Sequence, residues 1–505
     1  MSGQDSEHFR AFLNQLQREE HRPVALNELK NLLVLKPAGE ARSTIRDAGI
    51  SKIVQCLNAS EKILLDLACE VLKICFEKFP PGEIVTNYTG HVMYLLRHEK
   101  SCVRKLAIEE VHKAVKQDIN LLPVPQYIDV FVAIAQLVGD PDIGVANKAI
   151  HITSNLLPEA YQKVLEEMKI ILEYSGSSKC NAYEVIIEIS TKSYELFQLS
   201  VGYGYIDQII TDLTTNDVLL QLNLIELLAR LAIKPHGINY LVKQGVLKKI
   251  TDFAIDLPNN PCGGLLVPGY LKFFGCIAHF YPRDIFEKYP ELVELLFDTL
   301  ENGDQTVLPV ALDTFGFIGR TVEGKLCLAA FGSKYTQAVD GLSQLIKSST
   351  TDIKVRALNC FANLISVESD PNSQSNSPVD HRVTLMTREW FRSLSYRPNS
   401  MEYLFDMCKN PFPDIRLGAF ALLDAVCQHR WGEELVATTA GFIEYLLDRS
   451  IDHTKESKEL KYDIIRRLSN SAAFDANIIT RLQTYVEKGP FYSEDTLEVA
   501  MEDGD

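Results

Sequence analysis

Residues 242–251 read VKQGVLKKIT, in which one glycine separates the end of an apolar, helix-spaced run from the start of the next. The same corner recurs in AGISKIVQCL from Ala48, GYGYIDQIITDL from Gly202 and AGFIEYLLDR from Ala440. A chain that leaves one helix and enters another at a sharp angle needs positive φ, which glycine adopts at least cost. Gly49, Gly204, Gly245 and Gly441 are therefore expected to be corners. After each, Ile53/Val54, Ile209/Ile210, Ile250 with Phe253, or Leu446/Leu447 is placed to pack the new helix onto its neighbours. A corner written this often predicts a repeated unit.

Working outward, apolar residues at helical spacing run from Phe9 to Tyr485 with short interruptions, and strand patterns are scarce, so the class is all-α. Five segments align on a leading Asp: Asp142, Asp217, Asp304, Asp352 and Asp414. In each, the third following residue (Val145, Leu220, Val307, Val355, Leu417) and the eighth (Ile150, Ile225, Leu312, Cys360, Leu422) are apolar. An Asp capping free N–H groups, followed by side chains one and two turns on, accounts for the pattern. RHEKSCVRKLAIEEV fits it with Lys100 in place of the Asp. The anchors stand 75, 87, 48 and 62 residues apart, which fits one or two repeats of roughly 40 residues with irregular insertions. The expected architecture is an armadillo/HEAT-like α-solenoid of irregular helical repeats over residues 1–492. ESDPNSQSNSPVD, residues 368–380, is expected to be an inserted flexible loop, and SEDTLEVAMEDGD, residues 493–505 with six acids and no base, a disordered acidic tail.

The formal charge of -16 disfavours a phosphate backbone as partner and suits basic protein surfaces. The most basic stretch, RHEKSCVRKL from Arg97, is diluted by Glu99, Glu109 and Glu110. Eleven cysteines spread over 505 residues, behind a polar, charged start, indicate a reducing compartment, cytosol or nucleus. The longest apolar run, VLLQLNLIELLARLAI from Val218, contains Glu226 and Arg230 and is short of a membrane span. It reads as a helix buried on most sides.

Chemistry-bearing motifs are missing. No phosphate loop, HExxH, CxxC or GxSxG occurs. Cys69 and Cys75 read as small buried hydrophobes, and Cys427 and His429 as residues on different faces of one helix. An enzyme, a cofactor, a metal and a small-molecule substrate are thus not expected. A stack of helices instead supplies an extended binding surface. Reading of cargo signals by a ladder of Trp and Asn is disfavoured, because the chain has only Trp390 and Trp431. Two segments could present partner contacts. In LVPGYLKFFGCIAHFYPRD, Tyr270 is an aromatic anchor candidate beside Phe273 and Phe274, although a core role is the simpler reading, and Lys272 is the better contact. In EWFRSLSYRP, Trp390 and Arg392 are the candidates, against packing of that helix through Trp390 or Phe391.

SKCNAYEVIIEIS, PHGINYLVKQGVL, VPGYLKFFGCIA, TREWFRSLS, GFIEYLLDRSIDH with KELKYD, and RLQTYVEKGPFYS resemble the family of assembly chaperones of the proteasome regulatory-particle base. The likeness is close over residues 180–492 and looser before, where PVALNEL and the repeat rhythm are shared. It implies a non-catalytic solenoid absent from the finished 26S particle. It also implies a partner: the C-terminal domain of one base ATPase, regulatory subunit 7, in an early module with a second ATPase and a large scaffold subunit. Such binding would keep the ATPase tail from docking prematurely on the 20S core. The alternative from the residues alone is a solenoid scaffold or adaptor for another complex, since fold does not choose a partner.

Overall fold

The structure is a computed structural model that describes residues 2–174, 176–215, 217–257, 263–367, 381–396, 398–451 and 454–492. The loop expected at 368–380 and the tail expected at 493–505 lie outside the described residues. Among the described residues there are thirty-one α-helices, four short 3-10 turns and no strand. The chain divides into two units, Met1–Gly237 and Ile238–Asp505.

Bonds between helices display the repeat length. In the first unit, Arg42 donates to the Lys78 carbonyl (3.1 Å), the Tyr205 hydroxyl to the Leu165 carbonyl (2.6 Å) and Asn181 to the Val138 carbonyl (3.0 Å), at separations of 36, 40 and 43 residues. In the second, His279 meets the Phe317 carbonyl at 2.7 Å and Arg449 the Tyr485 carbonyl at 2.8 Å, at separations of 38 and 36. His429 breaks the interval. Its Nε2 lies 2.8 Å from the Ile365 carbonyl, 64 residues away, and the excess chain contains residues 368–380 and the helix His381–Ser393. The equivalent positions are therefore further apart in sequence there than elsewhere.

One helix per repeat stacks on its equivalent in the next. In the first unit these rungs are Arg22–Leu35, Lys62–Glu77, Ser101–Gln117, Ile143–Ser154, Ser177–Lys192 and Val218–Ala232. In the second they are Gly263–Phe280, Leu308–Ile318, Thr351–Ile365, Pro413–Cys427 and Lys455–Leu468. Rung Lys62–Glu77 shows why: Leu64, Leu65, Ala68, Val71, Leu72, Cys75 and Phe76 are buried, whereas Asp66, Glu70, Lys73 and Glu77 form the exposed stripe. Each fully buried Leu or Phe contributes about 1.5–3 kcal/mol. Between Leu308–Ile318 and Thr351–Ile365 the backbones approach closely, since a Cβ on Gly316 would lie 2.9 Å from the Cys360 Cα.

The four expected corners all have positive φ. Gly204, Gly245 and Gly441 are left-handed, at φ 78°, 68° and 75°, and each immediately precedes a new helix. Gly49 has φ 77° but ψ 166°, and closes Ala38–Ala48 outside the left-handed helical region. Ile53, Val54, Ile209, Ile210, Ile250 and Leu446 are buried as expected, and Phe253 and Leu447 half-buried.

The aligned aspartates divide into two registers. Asp142 and Asp217 are N-caps that accept from the N–H groups two and three residues on, and Asp304 makes the same bonds one turn before Leu308–Ile318. Asp352 and Asp414 stand inside the first turn, one residue after Thr351 and Pro413, and cap nothing. The first buried contact then moves to the residue directly after the Asp, Ile353 or Ile415. Val355 and Leu417 are consequently only half-buried, as are Leu220 and Ile150, whereas Val145, Val307, Ile225, Leu312, Cys360 and Leu422 are buried. Lys100 does occupy the N-cap position, without a side-chain bond.

A second glycine position escapes the sequence reading. A Cβ on Gly237, Gly324 or Gly432 would lie 2.0 Å from the carbonyl oxygen of Leu231, Ile318 or Val426. In each case the first turn of the next helix is pressed against the end of the preceding rung. KPHG, TVEG and HRWG therefore share a reason for glycine that is steric and not conformational.

Candidate interaction surface

The exposed stripes of successive rungs are joined by ion pairs from one rung to the next. In the first unit Lys30 meets Glu70 (2.6 Å), Lys105 meets Asp142 (2.7 Å), and Lys148 pairs with Glu109. Arg230 meets Glu188 at 2.6 Å, with Glu184 at 3.5 Å and Glu226 at 3.8 Å. Burial would lower the Arg230 pKa, but these carboxylates raise it. In the second unit Arg356 meets Asp313 at 2.6 Å and Arg467 meets Asp424 at 3.4 Å. Partial burial pushes the Asp313 carboxyl up, and Arg356 and Lys272 act against it. Exposed pairs of this kind add little stability, so the stripe is chiefly a patterned, solvated charge surface.

At the N-terminal ends of several rungs stand apolar side chains that are exposed among the described residues. In the first unit Ile63 and Ile143 are 74% exposed and Leu219 is 73% exposed, each in the first two residues of its rung. In the second unit exposed Leu265 is the third residue of Gly263–Phe280, and exposed Phe412 stands at the N-cap position of Pro413–Cys427. Large apolar residues at the solvated starts of several rungs have the composition of a contact surface: apolar side chains beside a charged field. The sequence contained this signal, as IGVAN, VLLQ and FPDI at the aligned helix starts, but the alignment drew attention to the buried positions.

Within the basic stretch from Arg97, Arg97 and Lys100 are exposed, Lys105 pairs with Asp142, and Arg104 is turned inward. Arg104 is buried and forks onto Asp140 (Nε–Oδ2 2.6 Å, NH2–Oδ1 2.8 Å) while donating to the carbonyls of His98 and Glu99 at 2.8 Å.

Of the partner-contact candidates, Tyr270 is corrected: it is 1% exposed, in the core with Phe273 and Phe274. The helical period that puts Leu271 and Phe274 inward places Tyr270 inward too, and burial pushes its hydroxyl up to about 12. Lys272 lies on the exposed stripe of Gly263–Phe280, facing Asp313 on the next rung. Trp390 is half-buried with its ring 5.0 Å from that of Tyr335, and Phe391 carries the buried contact of that helix, 5.5 Å from the Trp431 ring. Arg392 is exposed and pairs with Glu389 at 2.8 Å on its own helix. Trp390 and Arg392 sit on His381–Ser393, which is not a rung, so they do not join Lys272.

Cys427 and His429 are not on one helix. Cys427 ends Pro413–Cys427, and His429 stands at the N-cap position of Arg430–Thr438 without a side-chain capping bond. Burial raises the Cys427 thiol well above its ordinary value and holds the His429 imidazole below its own, against the Ile365 carbonyl. Cys75 is buried and pushed up to about 12, which makes it a poor nucleophile. Among the described residues no group of three or more His, Cys, Asp or Glu is placed to hold a metal ion, and no helix is long and apolar enough to cross a membrane.

Comparisons with known proteins bear on both fold and lineage. Yeast importin-beta (Kap95p) superposes with a TM-score of 0.60 over 94% of this chain and 61% of its own, at 12% identity. A second importin beta structure gives 0.58 over 96% and 74%, also at 12% identity. At this identity the likeness concerns the fold alone: the chain is an α-solenoid of that helical-repeat kind. The 26S proteasome non-ATPase regulatory subunit 5 of Bos taurus is 28% identical over 504 residues, covering 97% of this chain and 98% of that protein. The Homo sapiens protein of the same name gives the same figures, and the Drosophila melanogaster one is 26% identical over 506 residues. The family model described as proteasome non-ATPase 26S subunit matches residues 6–505, and the chain belongs to that family.

Proposed function

We propose that this protein is a non-catalytic chaperone for assembly of the proteasome regulatory-particle base. It binds the C-terminal domain of a base ATPase, regulatory subunit 7, in the early base module and keeps that ATPase from docking on the 20S core before the ring is complete. The observation that carries the reading is the family match across almost the whole chain. The rung surface supports it: paired charges beside exposed apolar side chains suit a folded protein partner better than a small molecule. Cytosol and nucleus, where proteasomes are assembled, fit the free thiols of the described cysteines.

The test is capture of each base ATPase in turn by the full chain. Selective capture of one, with no intact 26S particle recovered from cells, is the expected result. Capture of none, or co-purification with the finished particle, would overturn the reading and leave a solenoid adaptor for another complex.

A further inference from the structure

The last turns of the chain form a groove of about 660 Å³ whose charge is opposite to that of the whole molecule. Arg449, Lys458, Arg481 and Lys488 line it against the single carboxylate of Asp448, and that carboxylate is already engaged by the N–H and hydroxyl of Ser450 at 2.8 and 2.7 Å. Lys458 has no ion-pair partner among the described residues. Arg481 is held loosely, 3.4 Å from Glu444. Arg449 is fixed in place, donating to the Gly489 and Tyr485 carbonyls at 2.7 and 2.8 Å with its guanidinium 3.6 Å above the Tyr485 ring. A fixed guanidinium keeps its charge while spending its hydrogen bonds, and it supplies a field without having to be ordered by a ligand.

The chain itself leads into this groove. Tyr492 lines it, with Lys488 Nζ 4.6 Å from the ring and its carbonyl 3.4 Å from Arg449 NH1. The thirteen residues that follow carry six acids and no base. Glu494 and Asp495 come two and three residues after Tyr492, within roughly 7–10 Å of it even when extended. A segment tethered at the rim meets the groove at an effective concentration in the millimolar range.

We propose that the groove is a binding site for acidic peptide and that its resident occupant is the chain's own segment 493–505. The segment screens a basic groove on an acidic protein and yields only to a competing acidic partner. This rests on the groove and the charge sequence, independently of the chaperone reading.

The test titrates a labelled peptide of residues 493–505 onto two full-length proteins: the native chain, and a chain in which Glu494, Asp495, Glu498, Glu502, Asp503 and Asp505 are changed to Gln or Asn. The neutralised chain is expected to bind the peptide about tenfold or more tightly than the native chain. The gain should vanish when Lys458→Glu and Lys488→Glu are added, and an amidated peptide with the same six changes should not bind either protein. Equal binding to both chains, or none to either, would overturn the intramolecular occupant. Binding of the neutral peptide as strongly as the acidic one would overturn the electrostatic site even if the Lys458/Lys488 variant failed to fold.

Discussion

Gly441 and Gly432 lie nine residues apart and are glycine for different reasons, which mutation can separate. A methyl on Gly441 meets nothing within 4 Å, so Gly441→Ala costs only its left-handed backbone, about 1 kcal/mol. A methyl on Gly432 meets the Val426 carbonyl oxygen at 2.0 Å, so Gly432→Ala must separate two helices, at about 2–3 kcal/mol. Urea unfolding should rank Gly432→Ala well below Gly441→Ala; the reverse order would show that the close approach is not rigid. His429 makes a second residue-scale prediction. Burial lowers its pKa, with the Lys325 charge acting in the same direction and the Ile365 carbonyl opposing them. The unfolded chain therefore takes up the proton first as pH falls. The stability His429 contributes is complete above its unfolded pKa, about 6.5, and is lost as pH drops through the lower folded value. His429→Gln should be less stable at pH 7.5 and should show a flatter stability profile between pH 7.5 and 5 than the native chain.

Among elements, the corner glycines and the helical period were legible because each imposes a residue type on the sequence. Positive φ selects glycine at 204, 245 and 441, and a buried face selects apolar residues every third or fourth place. The cap register was not legible. Asp is favoured both at the N-cap, as at 142 and 217, and in the first turn, as at 352 and 414, where it complements the helix dipole; composition does not distinguish the two. The second glycine row was hidden for a related reason, since contact with the preceding rung leaves no trace beyond the glycine itself. Of the site, Lys272 was readable from the amphipathic period of Gly263–Phe280, and the same period placed Tyr270 in the core. The exposure of Ile63, Ile143 and Leu219 was not, because an apolar helix start looks like any other apolar position until its neighbours are in place. The fork between Arg104, on the rung Ser101–Gln117, and Asp140, just ahead of the rung Ile143–Ser154, is a buried tie in the first unit. Asp140→Ala strands a buried guanidinium and should cost about 3–5 kcal/mol, whereas Arg356→Ala, at an exposed pair, should cost under about 1 kcal/mol. Thermal unfolding of both variants checks the contrast.

For the molecule as a whole, the rung surface contributes little to stability and is therefore free to serve recognition. The charge of -16 predicts that a basic partner associates faster at low salt, while dissociation changes less. An association rate that does not respond to ionic strength would remove the electrostatic part of the account. The exposed apolar side chains predict the complement: Ile143→Asp with Leu219→Asp should leave the unfolding midpoint nearly unchanged, since both side chains are exposed, and weaken partner binding about tenfold or more, as for a central apolar contact. The measurement that tests the account most directly is capture of the base ATPases, one at a time, by the native chain and by this double variant in parallel. The account predicts that the native chain retains one ATPase selectively and that the variant loses it while remaining folded. Retention of no ATPase by the native chain, or equal retention by the folded variant, would contradict it.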